Sequence, residues 1–449
     1  MTGDSSIDNF ERQSQMRFSR TVTAIGATLA LALPLIPAGA YSASAGDRGL
    51  PASGASPEAE KRAAAKALMM RQAPILEAAD EITELVEKDP AGGYNDLTIS
   101  VETNGYTLRW KGKPPEDVTR VIASHRKKGL NVKVAATRYT AEELKKAMRA
   151  IAKSGVRVSG ARIVSVGAGK DGDSLTVGID VPDTAPRAGV KPLKAAEVIP
   201  SSLTRGIPVT LKADSAASPI GDERIGLPTS PQFGGQAIRT VSGSRCTSGF
   251  TASQRGTKDD FIITAEHCTT KVGQSWQTAN DSHLGTVSHI DVQNDAALIK
   301  LEPRKMSGGS IVGGLPVKNS FQPVHHVYSV KDVLKGQYVC VSGSLTGERC
   351  GVPVDDGYYW RWFNGTEKYT AVTGYSPWEY IAGKGDSGGP VYSYRLSGGV
   401  VAHGLMSATQ NGRTCPNPFG GTRTACSNTL YFTSLSAGLG MMPTGTYLN

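Results

Sequence analysis

The chain predicts a small α+β unit over residues 46–182 set ahead of a second, cysteine-bearing unit over 233–449, and three observations carry that division. Helical and strand-like periodicities alternate through the first stretch. Residues 183–232 then become rich in Pro, Gly and Ser with little periodicity, which reads as a linker, and all six cysteines lie beyond it. With 449 residues, 39% of them apolar and 20% charged, the chain holds enough apolar material for more than one core.

Taken in order, residues 1–45 fall outside the fold. Arg17 and Arg20 precede an apolar stretch over 21–40 that ends in Ala38-Gly39-Ala40, a small-residue pattern suited to signal peptidase. Export follows from it, with the membrane met only in transit. Met16, just before Arg17, offers an alternative start, and Pro34 and Pro37 argue against a retained anchor. Residues 57–87 mix charged residues with Ala, Leu and Ile at helical spacing, giving one or two amphipathic helices. A hairpin is expected over 96–110, a helix over 116–128 and a strand over 131–136. A second helix over 140–153 opens on a Thr140-x-x-Glu143 capping box, and another hairpin covers 156–181.

The formal charge of +9 is spread along the chain. Its densest points, Arg126-Lys127-Lys128 and the Lys111, Lys113 pair, read as solvated faces, and no nucleic-acid partner is expected. In the second unit, Tyr358, Trp360 and Trp362 alternate onto one strand face, either packing a sheet or stacking against a polymer substrate.

Two motifs in that unit carry chemistry. Gly385-Asp386-Ser387-Gly388-Gly389-Pro390 surrounds a serine with glycines, and Thr264-Ala265-Glu266-His267-Cys268 supplies a histidine. A serine hydroxyl is a poor nucleophile at neutral pH. It needs a base within hydrogen-bond reach and donors for the oxyanion formed when it attacks a carbonyl. A third, carboxylate member would fix the tautomer of His267. Asp295, at the head of the apolar run Ala296-Ala297-Leu298-Ile299, is the candidate; Asp291 competes but lacks such a run. The other histidines, His125, His283, His289, His325, His326 and His403, have no ligand-like spacing, so neither a metal nor a cofactor is expected.

The order His267, Asp295, Ser387 and these motifs resemble the chymotrypsin-like serine peptidases. Cys246-Thr247-Ser248-Gly249-Phe250 behind a long leader is similar to their secreted bacterial branch, the streptogrisin and alpha-lytic group. The resemblance covers 233–449 and implies an all-β unit of two antiparallel β-barrels with the triad in the cleft between them. It makes Ser387 the nucleophile, His267 the general base and then acid, and Asp295 the orienting carboxylate. The N–H groups of Gly385 and Ser387 would form the oxyanion hole, and Ser407-Ala408-Thr409 would pair with the substrate backbone. It also implies a Cys246–Cys268 bridge, after which proximity joins Cys340 to Cys350 and Cys415 to Cys426.

By the same resemblance the α+β unit is a pro-region, chaperone and inhibitor of its own chain, with the processing site in 183–232. The alternative is a domain that stays attached. The partner is a protein or peptide substrate, and the product a secreted monomer. Several positions depart from the family. Glu266 replaces a small residue and either raises the basicity of His267 or points to solvent. Gly383 replaces a cysteine. Ile381 stands where trypsin-like members hold an aspartate, which disfavours cationic substrates and suits an apolar or broad preference. Cleavage at Ile311-Val312-Gly313-Gly314 would separate Asp295 from Ser387, so Asp386 must be satisfied by something other than a new N-terminus. A catalytically silent homologue serving as a secreted binding or envelope protein, favoured only by Glu266, and an esterase on the same site are the rival readings.

Overall fold

The first described element is one helix, α1 (Pro57–Lys88), with Pro74 inside it. The computed structural model describes residues 57–90, 92–158, 160–180, 199–214, 218–219, 232–303, 307–313, 322–324, 327–363, 366–374, 376, 378–396, 399–410, 412–416 and 422–448. The segment expected to be an export signal therefore lies outside the described residues, as do His325 and His326. Met69, Ile75, Ala79 and Ile82 recur at helical spacing on α1 and are buried, so tertiary packing holds the helix through its proline.

Strands β1 (Tyr94–Ser100) and β2 (Gly105–Lys111) form the expected hairpin, and β3 (Asn131–Thr137) joins β2 in parallel across helix α2 (Glu116–Lys127). Leu97, Leu108, Trp110, Ile122 and Val132 pack there against Ile75 and Ile82 of α1. Helix α3 (Ala141–Lys153) opens on the capping box: Thr140 Oγ1 accepts from the Glu143 amide at 3.2 Å, and Glu143 accepts from the Thr140 amide at 2.7 Å. After it come β4 (Arg157–Val158), β5 (Ala161–Ala168) and β6 (Leu175–Asp180), with β5 and β6 antiparallel.

The linker reading of 183–232 needs correction over 199–214. A short helix, α4 (Ser201–Thr204), leads into β7 (Val209–Asp214), which lies parallel to β6. Ile199 and Ile207 are buried beside Leu175, Val177 and Ile151, so a few apolar residues in a polar stretch complete this core. The short strand β8 (Ser218–Pro219) follows.

The C-terminal half is all β, apart from short turns of helix. Strands β20 (Tyr338–Gly343), β23 (Pro390–Tyr394), β24 (Val400–Thr409), β27 (Tyr431–Ser434), β22 (Thr366–Thr373) and β21 (Gly347–Phe363) are paired in that order, and β21 pairs back to β20. Every pairing is antiparallel, and the ring closes. Val339, Val341, Val352, Val391 and Phe432 belong to its core. The other half is an antiparallel sheet that includes β10 (Ala237–Thr240), β12 (Phe250–Gln254), β13 (Asp260–Thr264), β15 (His283–Asp291) and β16 (Ala296–Leu301). Among the described residues its strand order stays open, making a half-barrel. On β13 the period of two sends Phe261 and Ile263 into one core and Ile262 into another.

The two halves of the chain are not separate bodies. Residues 60–449 form one unit. Strand β21 runs 17 residues, long enough to leave the barrel and pair with β5 at Trp360↔Val166 and Arg361↔Ser165. Trp360 is buried in the α+β core; the side chains of Tyr358 and Trp362 lie outside the described ones. Ile311 and Val312 sit in β17 (Ser307–Gly313), paired with a strand at 322–324. The disulfides are Cys246–Cys268, Cys340–Cys350 and Cys415–Cys426. Among the described residues no helix is long and apolar enough to cross a membrane.

Candidate active site

His267 stands in a single turn of 3-10 helix, Glu266–Cys268, directly after β13, where the Cys246–Cys268 bridge ties the turn to the half-barrel. Asp295 precedes β16 with φ of +47°, a backbone that few residues other than glycine adopt. Ser387 lies in the loop entering β23 of the closed barrel. The half-barrel thus presents the histidine and the carboxylate, and the closed barrel the serine.

The three side chains form one hydrogen-bonded chain. His267 Nε2 is 2.8 Å from Ser387 Oγ, and Nδ1 is 2.9 Å from both carboxylate oxygens of Asp295. With Nδ1–H donating to the carboxylate, Nε2 is left to accept the Ser387 proton. The carboxylate also accepts from the His267 amide at 3.0 Å and from the Ser407 hydroxyl. Burial pushes the Asp295 carboxyl up, but His267 and Lys368 outweigh it and hold the group well below the usual range. Asp291 is occupied elsewhere, accepting from the backbone and side-chain amides of Asn294 at 3.1 and 2.7 Å.

The glycines of the serine loop have geometric reasons. Gly385 has φ of 129° and Gly388 of 85°, and a Cβ on Gly388 would fall 2.1 Å from Thr264 Oγ1. Thr247 Oγ1 and Ser344 Oγ donate to the Gly385 carbonyl at 2.7 and 3.0 Å, and the Thr247 amide donates to the Ser387 carbonyl at 2.8 Å. Asp386 is buried, and its carboxylate accepts from the amides of Leu345, Gly383 and Thr346 at 2.7, 2.8 and 3.2 Å. Burial raises its pKa and these amides pull it back. No new N-terminus is needed to hold it.

The remaining sequence candidates divide. Ser407 turns its hydroxyl to Asp295, while Ala408 and Thr409 pair antiparallel with Pro219 and Ser218 of β8. Ile381 is fully buried in the core of the closed barrel with Leu430 and Phe432. Glu266 does not point into water: it accepts from Lys368 Nζ at 3.1 Å, and the same ammonium donates to Asp295. Sequence reasoning missed Lys368 altogether. It sits on β22 among polar residues, where alternation alone reads as a solvent face.

No protein-family model matches the chain. Its sequence is similar to streptogrisin-A of Streptomyces griseus, 29% identical over 189 residues, which is 41% of this chain and 56% of that protein. The resemblance is to a chymotrypsin-like serine peptidase. The chain spans little more than half the length of streptogrisin-A. Among solved structures, Nocardiopsis protease (NAPase) is 22% identical over 48% of this chain and 98% of its own, with a TM-score of 0.35. A glutamic acid specific serine protease that uses a histidine triad in substrate binding is 22% identical over 46% of this chain and 96% of its own, at 0.34.

Proposed function

We propose that the chain is a secreted serine endopeptidase made as a prepro-enzyme, and the hydrogen-bonded run Ser387–His267–Asp295 is the observation that carries this reading. His267 Nε2 takes the Ser387 proton as Oγ attacks a peptide carbonyl. Asp295 stabilises the imidazolium, and the N–H groups of Gly385 and Ser387 receive the oxyanion. His267 then returns the proton to the leaving amine. Water, deprotonated the same way, releases the acyl group from Ser387.

The α+β unit is the pro-region of this scheme. Strand β8 lying antiparallel on Ala408–Thr409, the segment expected to hold substrate backbone, supports inhibition in cis. Since Pro219 is on one side of the site and β9 (Gln232–Gly234) already belongs to the second unit's strands, processing falls between 220 and 231. Glu266, the one residue that favoured a silent homologue, is engaged by Lys368.

Intact-mass analysis of the secreted protein with a fluorophosphonate tests this. One adduct on a fragment beginning between 220 and 232, absent in Ser387→Ala, is expected. Labelling that persists in Ser387→Ala would sink the assignment, since loss of the nucleophile should cost several orders of magnitude.

A further inference from the structure

Lys368 reaches the site from the closed barrel with its side chain only 3% exposed, and it touches two carboxylates, Asp295 and Glu266. An ammonium against the orienting carboxylate poses a problem for the chemistry. Taken alone it would cancel the negative field that favours imidazolium and lower the basicity of His267. Glu266 answers it. Two carboxylates around one ammonium leave a net single negative charge facing the imidazole, as a lone aspartate would.

Resting on the peptidase reading above, we propose that Glu266 and Lys368 are a charge-matched positioning pair: Lys368 fixes Asp295 against His267, and Glu266 restores the field that Lys368 removes. Among the described side chains, the other charged groups of the surrounding elements are engaged elsewhere or exposed. Asp291 at the end of β15 is bound by Asn294, and Asp386 beside the serine by its three amides. Arg361, opposite Lys368 on β21, donates to the Thr370 carbonyl at 2.8 Å and lies over Tyr431. Lys384, in the serine loop, is exposed. Ser407 adds a neutral donor to Asp295.

The pair makes predictions of opposite sign. In histidine-labelled full-length protein carrying Ser387→Ala, the His267 ring resonance is identified by its loss in His267→Asn and titrated by NMR. Glu266→Gln should lower the His267 pKa by about one unit, and Lys368→Met should raise it by a similar amount. The double variant should return to within about 0.3 unit of the parent. An unchanged or raised value in Glu266→Gln overturns the proposal, and that variant keeps the Lys368–Asp295 contact should Lys368→Met fail to fold. Shifts of the same sign in both variants overturn it too. The titration needs no turnover, so absence of fluorophosphonate labelling in the wild type would strike the peptidase reading while leaving this measurement to stand on its own.

Discussion

Asp295 and Asp291 stand four residues apart and have opposite occupations, which makes the pair a sharp test at the residue scale. Asp295 sits under His267 with its carboxylate saturated by donors, while Asp291 only ties down its own turn. Asp295→Asn should lower the fluorophosphonate labelling rate by about 10⁴, because an amide there turns the imidazole to the wrong tautomer. Asp291→Asn should cost less than about tenfold; the reverse ranking would reassign the third member. His403 offers a second residue-scale test, through stability. Its Nδ1–H donates to the Lys331 carbonyl at 2.8 Å, and Nε2 accepts from Gln337 and Ser393 at 2.8 and 2.9 Å. Burial pushes its pKa from 6.5 down to about 4. Between those values the unfolded chain takes up a proton that the folded one refuses. Its contribution, up to about 3 kcal/mol, is thus fully present above pH 6.5, falls as the pH drops toward 4, and is lost below. Urea midpoints at pH 7 and 4.5 should therefore converge in a His403→Asn variant; an unchanged gap would place the acid sensitivity in another group.

Elements were legible where periodicity and capping agree, and obscure where partners are remote. The Thr140–Glu143 box marked the start of α3, and the hairpin expected over 96–110 is the β1–β2 pair. The hydrogen-bonded grouping of Ser387, His267 and Asp295 could be anticipated because the chemistry expected of them demands particular residue types, with glycines around the serine. Lys368 could not, since its burial depends on where a strand is laid against Asp295 in the folded chain. Strand β7 hid for a related reason, its apolar residues too few to signal a strand without β6 alongside. The length of β21 is the largest such omission, and it makes Trp360 testable. That ring is covered by α+β residues such as Val166 and by Tyr369, with the two ring centroids 5.1 Å apart in the latter pair. Trp360→Ala should destabilise full-length Ser387→Ala protein by about 3 kcal/mol. The processed fragment, which has lost that cover, should lose much less. Equal losses in both would mean that the barrel itself holds the ring.

At the scale of the molecule, the same sheet that completes the closed barrel continues through β21 into β5, β6 and β7, so one set of backbone hydrogen bonds links the α+β unit to the strands that carry the site. Three of the ring's pairings join neighbours in sequence, but closure also needs β20 to meet β23 and β22 to meet β27, as at Val341↔Val391 and Ala371↔Phe432, pairings far apart in sequence and slow to find. On the proposed pro-region reading, the α+β edge at Ser165–Val166 would offer β21 a template before the ring has closed. Strand β8 meanwhile occupies Ala408–Thr409 once it has. Two consequences follow from this one arrangement, and they are separable. Uncleaved protein should label with fluorophosphonate at least about tenfold more slowly than the processed fragment, because in the proposed scheme substrate backbone and β8 compete for the same strand edge. The processed fragment, unfolded with its disulfides intact and then diluted, should regain labelling much more slowly than uncleaved chain regains its native fluorescence, and addition of the excised α+β unit should close that gap. Equal labelling rates would remove the inhibitory role, whereas rapid unaided refolding would remove the templating role and leave inhibition standing.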